Sequence, residues 1–465
     1  MTNPGIAAPN NSRACRLTRH ACLAGIAGGA AIALAACGGH SASPTPQKKD
    51  VELSIIQQPT FSTEIDAQVY NAGYDLFREK TGIRVTAQTI PEGDIRPKVT
   101  ALVAGGTPPD GTYMHPSKIT SVAAAGLIVP IETYIANDKS LNLPDLYPSV
   151  LAYFRAPSGS GKLYGLPFTS NPAAVMYNRG LFERHGVKTP DQLEKEGAWT
   201  WDRLREVCVP LTRGTGDDKT WGWSDINTAI AQHICALVWS SGGEVYDKEL
   251  TKTRLSEAVA IDALQNYADL RAKYGVVAEG PEVASIPSLA RIGRVGVGRV
   301  AMQFNSRLAV PNFAVAAEQY GVKPAIAPIP KGKAGRVTRN GPSAYMTVQG
   351  TKHPEEVYQL VAWMTTAEFQ RIQFQVGGTV PVRKSQMDSD EFQKTLKPWE
   401  PLAVWKETAE ADRALAYSTR NEEVEKVFGD AYTRVKTGEA TMKEVMPVIE
   451  PQMNALLAEA KASAR

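Results

Sequence analysis

The chain has 465 residues, with 51 Lys and Arg against 48 Asp and Glu, a formal charge of +3. A balance this close to zero argues against a surface built for nucleic acid or bulk polyanions. The length allows two or three domains, and an apolar fraction of 43% is that of a globular chain.

The first 36 residues carry Arg13, Arg16 and Arg19 and no acid. Ala21 to Ala36 is almost wholly small and apolar. A charged stretch followed by a short apolar run is the pattern of an export signal, and the run is shorter than the ~20 apolar residues that span a bilayer. Its removal takes three arginines and brings the formal charge from +3 to zero. Residues 37–50 follow, with no bulky apolar side chain between Gly38 and Lys49. Such a segment buries too little surface to offset chain entropy and reads as a flexible tether.

Val51 opens a short apolar, β-branched run that predicts a strand. Val69, Tyr70, Gly73, Tyr74 and Phe77 then recur at three and four residues, one face of a helix. Thr81-Gly82 ends that helix, and Ile83 to Ala87 alternates like a second strand. Strand–helix–strand favours a parallel sheet. Lys98 to Ala104 predicts a helix closed by Gly105-Gly106, with Glu92 and Asp94 in the loop before it, and Gly111 to Met114 predicts a short strand. Longer helices are expected at about 191–212, 226–240, 256–274, 354–374 and 421–460. Trp221-Gly222-Trp223 has the period of a strand with both rings on one face. Cys208 and Cys235 lie in apolar helical stretches, where they could pair after export or stay as buried thiols.

Motifs for catalysis and cofactors are weak. Ser158-Gly159-Ser160-Gly161-Lys162 resembles a phosphate loop, but Ala156 and Leu163 stand where that pattern needs Gly and Ser or Thr. Gly296-x-Gly298-x-x-Ala301 fits a loose dinucleotide fingerprint, yet Met302-Gln303-Phe304 continues as a strand and offers no helix N-terminus. There is no CxxC, no HExxH and no GxSxG. No cofactor and no metal are expected.

Two resemblances organise the rest. Leu34-Ala35-Ala36-Cys37 resembles the lipobox of bacterial lipoproteins, which implies cleavage before Cys37 and a lipid anchor on its thiol. Lys80-Thr81-Gly82-Ile83-Arg84-Val85, followed by Ala104 to Asp110, resembles the opening of the family 1 extracellular solute-binding proteins of ABC importers, relatives of maltose-binding protein. Tyr164 to Phe168 with Met176 to Asn178, Gly298 to Met302, Gly377 to Arg383 and Gly438 to Thr441 match the same family in order. The resemblance runs from Val51 to the C-terminus. It implies an α/β fold of the two-lobed, periplasmic-binding-protein-like (type II) kind, with a hinge and an interlobe ligand cleft. Lobe one would comprise 51–166 and 302–342, and lobe two 169–300 and 346–465. The crossings would fall at Tyr164–Pro167, Val300–Gln303 and Gly341–Tyr345. Ligands in such sheets lie beyond strand C-termini, and hinge closure traps them.

The same resemblance implies a non-enzymatic, monomeric receptor at the cell envelope, facing the periplasm or the exterior. It would capture a carbohydrate and hand it to ABC permease subunits. A glycerol-phosphate or glycerophosphodiester ligand is the alternative within the class, and a secreted carbohydrate-active enzyme the alternative outside it. Sugar hydroxyls suit side chains that donate and accept, and pyranose faces suit Trp and Tyr. The residues of these types near strand ends and crossings are Gln57, Glu92, Tyr113, His115, Trp239, Asn305, Arg307 and Tyr345, and Arg307 and Arg420 are the basic candidates for the phosphate of the alternative ligand. Gly378 would allow close backbone approach.

Overall fold

The computed structural model describes residues 51–59, 63–158, 161–224, 228–278 and 293–463; the predicted export signal and Cys37 lie outside them. Strand β1 (Glu52–Gln57) turns Leu53 and Ile55 into the core and Glu52 and Ser54 outward. The helix Thr63–Thr81 buries Val69, Tyr70, Tyr74 and Phe77, the apolar face read from their spacing. Gly82 follows it at φ +81°, and its amide donates to the Arg78 carbonyl at 2.8 Å. Strand β2 (Arg84–Thr89) then pairs with β1 in parallel, from Glu52 opposite Arg84 to Gln57 opposite Thr89.

The next helix, Glu92–Ala104, starts six residues earlier than the sequence suggested. Pro91 precedes its first turn and Glu92 and Asp94 occupy it. Acidic side chains there face the positive end of the helix dipole. Both are therefore exposed helix residues rather than loop residues. Strand β3 (Gly111–Tyr113) joins the other side of β1 in parallel. Strands β4 (Arg155–Ala156) and β5 (Lys162–Leu163) pair antiparallel; of the stretch that resembled a phosphate loop, residues 159 and 160 lie outside the described residues.

Strands β6 (Pro167–Thr169) and β11 (Ser343–Thr347) complete a first sheet of order β2-β1-β3-β11-β6. The second sheet is β10-β7-β9-β8, built from β7 (Ala174–Asn178), β8 (Trp221–Trp223), β9 (Val300–Asn305) and β10 (Pro324–Ala327). The chain passes from the first sheet to the second between Thr169 and Ala174 and returns between Ala327 and Ser343. The expected crossing at Val300–Gln303 is absent: β9 lies inside the second sheet, antiparallel to β7 and parallel to β8. Strands β9 and β10 thus leave the first lobe for the second. Conversely, the helix Pro354–Trp363 packs on β11, and Ala367–Ile372 packs on Thr63–Thr81 beside the first sheet. Four consecutive buried residues open β9, so no in–out alternation marked which sheet it joins.

Predicted long helices divide at turns. The 421–460 stretch is Asn421–Lys436 and Met442–Ser463, broken at Gly438 with φ +82°, and both halves pack on Ala258–Ala272. Cys208 and Cys235 are buried, unpaired thiols, and burial pushes that of Cys235 up to about 12.

Arg307, expected to touch ligand, is instead a structural cation. It is 2% exposed, and its Nε donates to Glu400 Oε1 at 2.5 Å. Its Nη1 donates to the Phe374 and Thr379 carbonyls, and its Nη2 to Thr395 Oγ1. Glu400 also accepts from Trp405 Nε1 at 3.0 Å. Gly378, at φ +72°, ends the Gln373–Gly377 turn; a Cβ there would lie 3.4 Å from the Arg307 carbonyl oxygen. Both residues therefore serve the junction between β9 and the helices of the first sheet. Arg307→Met leaves Glu400 buried without its cation. It is expected to lower the unfolding free energy by about 3–5 kcal/mol, read by urea titration; a loss within the titration error would show the pair to be dispensable.

Candidate functional site

The two linkers between the sheets run side by side. Asn340 Oδ1 accepts from the Asn171 amide at 2.6 Å and Asn340 Nδ2 donates to Ser170 Oγ at 2.9 Å. The Asn340 amide donates to Tyr153 Oη at 3.0 Å. On the other flank, Thr338 pairs with the 411–413 segment: its amide donates to the Ala411 carbonyl, and its own carbonyl accepts from the Arg413 amide. Arg339 is held between these two anchors, and its carbonyl accepts from the Ala173 amide.

The Arg339 side chain is partly buried. Its Nε donates to the Ala231 carbonyl at 2.7 Å. Around it stand Tyr113 and His115 from the end of β3, Tyr153, His233, Asp412, Tyr417 and Glu425, each within its electrostatic reach. Glu425 reaches from the helix Asn421–Lys436 to the first turn of Ile230–Ile234. It accepts from the Ile230 amide at 2.7 Å and the Ala231 amide at 2.9 Å. First-turn amides have no partner within their own helix, so a carboxylate there satisfies them. The residue whose amide Glu425 caps thus offers its carbonyl to Arg339.

Burial sets the charge state of this cluster. It pushes Asp412 up to about 7, against the hydrogen bond from Tyr153 and the attraction of Arg339. It pushes Glu425 up to about 7 as well, against its two amide donors. Burial and the nearby Arg339 hold His115 and His233 down at about 3, with Lys118 adding to the effect on His115. The two acids are drawn toward their neutral forms and the two imidazoles stay neutral, so Arg339 is the one permanent charge among them.

Four other polar atoms belong to this region. Trp239 Nε1, Tyr246 Oη, Ser418 Oγ and Asp412 Oδ2 are buried with no hydrogen-bond partner among the described residues. Trp239 lies beneath the Arg413 guanidinium, 4.4 Å from ring centroid to carbon, and Arg413 pairs with Glu244 at 2.7 Å. A cavity of about 450 Å³ adjoins Tyr417 and Ser418, walled by Thr120, Tyr164, Leu250 and Lys461. Contacts join the two sides: Lys118 pairs with Glu422 at 3.3 Å, and Ser158 Oγ links Thr120 Oγ1 to the Tyr417 amide.

Of the residues singled out in the sequence, Tyr113, His115 and Trp239 converge here. His115 caps the helix Pro116–Ala124, with Nδ1 2.8 Å from Ser117 Oγ. Glu92 lies near enough to act on the Tyr113 hydroxyl. The others have partners of their own. Gln57 and Tyr345 belong to a buried network of the first sheet: Gln57 Oε1 accepts from Tyr74 and Tyr345, and its Nε2 donates to Thr89. Asn305 Oδ1 accepts from the Ser306 amide at the end of β9. Arg420 forms surface ion pairs with Glu423 and Glu459. Of the other tryptophans, Trp223 is core against Phe304, and Trp221 packs beneath Arg299 and Lys219. The sequence reading missed Arg339, Tyr153, His233, Asp412, Tyr417 and Glu425. A basic residue just before the expected crossing at Gly341 was the one available hint.

The opposing shifts give a pH prediction. Between about 4 and 7 the folded chain holds more protons on Asp412 than the unfolded chain, so this residue lowers stability as pH rises. The two histidines act in the opposite sense between about 3 and 6.5, where the unfolded chain holds more protons. Asp412→Asn removes a falling contribution. Its melting temperature, followed from pH 4 to 7, is expected to rise with pH more steeply than that of the parent; parallel curves would show that Asp412 titrates normally.

The sequence profile of the bacterial extracellular solute-binding proteins matches residues 58–371. A Brucella abortus (strain 2308) protein named only as a binding protein is 24% identical over 323 residues, 68% of this chain and 72% of its own length. The structure is similar to a Listeria monocytogenes ABC substrate-binding protein solved with cycloalternan, with a TM-score of 0.73, 18% identity, and coverage of 87% of this chain and 98% of that one. It is also similar to the Mycobacterium tuberculosis protein UgpB solved with glycerophosphocholine, with a TM-score of 0.72, 16% identity, and coverage of 87% and 98%. At these identities the structural likeness is one of fold, two α/β lobes each built on its own sheet. With the profile covering more than half of its length, the chain belongs to the bacterial extracellular solute-binding proteins.

Proposed function

We propose that this protein captures a carbohydrate at the cluster around Arg339 and delivers it to the permease of an ABC importer, tethered to the membrane by a lipid on Cys37. The observation that carries this reading is the convergence on one guanidinium of Tyr113 and His115 from the first sheet with His233, Tyr417 and Glu425 from elements beside the second. A ligand that touches both sets has a higher affinity when they are close together, and it shifts the population toward the closed form by that difference. The unpartnered Trp239 indole and Tyr246 hydroxyl are donors suited to sugar oxygens. Capture of this kind makes and breaks no covalent bond.

Mass spectrometry of the protein purified from its own cells is the direct test and is expected to find a hydroxyl-bearing small molecule. Thermal denaturation against a saccharide panel is expected to show a shift with one class, since a ligand at a hundred times its dissociation constant adds ~2.7 kcal/mol. Hydrolysis of a glycan without any thermal shift would replace this reading with an enzyme. Anchoring has its own test. Cys37→Ser is expected to move the chain from the membrane fraction to the soluble one; unchanged fractionation would remove the anchor from the proposal.

A further inference from the structure

Three arginines with side chains no more than 12% exposed are matched to acids. Arg307 pairs with Glu400, Arg336 with Glu194 and Glu407, and Arg383 with Asp145. Arg339 differs. It is partly buried, yet among the described residues it makes no ion pair, and its one side-chain hydrogen bond goes from Nε to the Ala231 carbonyl. Two carboxyl groups, those of Glu425 and Asp412, feel its charge, and neither makes an ion pair with it among the described residues. Both Glu425 oxygens accept backbone amides, and Asp412 Oδ1 accepts from Tyr153. The unpartnered polar atoms of the same region are Trp239 Nε1, which can only donate, the Tyr246 and Ser418 hydroxyls, which can donate or accept, and Asp412 Oδ2.

We propose that Arg339 anchors the ligand, and that the ligand presents to it an anionic oxygen group, the carboxylate of an acidic sugar or the phosphate of a phosphorylated sugar or polyol. This rests on the binding reading above and narrows its substrate class. A withdrawn guanidinium without an acid is costly to bury, and a ligand anion completes the pairing that the protein's own acids do not make. The planar fork of a guanidinium matches carboxylate and phosphate oxygens two at a time. Asp412 and Glu425 do not oppose this strongly, because burial already draws both toward the neutral form. An anion seated beside them draws protons onto them, so binding of an acidic ligand tightens as pH falls below 7.

The experiment uses the full chain and matched pairs of probes: glucose against glucuronate, galactose against galacturonate, and glycerol against glycerol 3-phosphate, each followed by thermal shift and titration calorimetry. At least one acidic member is expected to bind more tightly than its neutral partner, with proton uptake near pH 7. The uronate and phosphate arms separate the two sources of charge. Arg339→Gln is expected to weaken the acidic probe about tenfold to a hundredfold, and Arg339→Lys to weaken it less. The comparison of acidic with neutral probes on the parent protein stands even if either variant folds poorly. Neutral probes that bind while their acidic partners do not would overturn the inference and leave the binding reading in place. So would an acidic probe whose affinity is unchanged in a folded Arg339→Gln chain. No binding by any probe, with no small molecule co-purifying, would overturn both.

Discussion

Asn340 is 1% exposed, and its side-chain oxygen, side-chain nitrogen and backbone amide are all engaged, by Asn171, Ser170 and Tyr153. An amide side chain buried this deeply is tolerated only with its hydrogen bonds made. Meeting that requirement aligns the outgoing and returning linkers and fixes where the chain enters β11. It also sets the rotation of the neighbouring residue, Arg339, whose side chain must leave on the opposite side. The candidate site is in this sense a by-product of a register: once residues 170–171 and 340 are locked together, the positions of Arg339, Thr338 and the 411–413 segment follow.

The sheet core was legible because β1, its helix and β2 obey simple periodicities, with Val69, Tyr70 and Phe77 on one helix face and Gly82 at its end. Tyr113 and His115 were singled out because they end and follow a short predicted strand, at the place where the family resemblance implies ligand contacts. Trp239 was singled out because its helix ends in a glycine pair where the family resemblance implies an aromatic against the ligand. Arg339, Asp412 and Glu425 carry no such mark. Each meets partners more than a hundred residues away in the chain, as Arg339 does at Ala231 and Glu425 at Ile230. Polar side chains at such meeting points have no period to reveal them. Arg307 and Tyr345 misled for a related reason. Their types suit a ligand, but burial within the fold used up their hydrogen bonds first, at Glu400 and at Gln57.

The electrostatics of the cluster follow from one imbalance. Four titratable groups share a poorly solvated space with one guanidinium, and desolvation is the largest influence on each. Water that would stabilise charge is excluded, so the acids and imidazoles drift toward neutrality and the permanent cation dominates the local field. The surface balance of the chain, near zero, gives no hint of this. Net charge describes the exterior, and the interior of a binding site is set by which groups the fold strips of water.

The Arg307–Glu400 pair carries a mechanical implication. Arg307 follows the last residues of β9, while the Phe374 and Thr379 carbonyls it also holds belong to a turn packed beside the first sheet. Breaking a salt link this dry on every cycle of capture and release would cost about 3–5 kcal/mol, a large share of the ~8 kcal/mol that a micromolar ligand returns on binding. Relative movement of the two halves that leaves it whole avoids that cost. A closure of the proposed kind that kept the pair whole would be a swing about an axle passing close to Arg307, its amplitude growing with distance from that point.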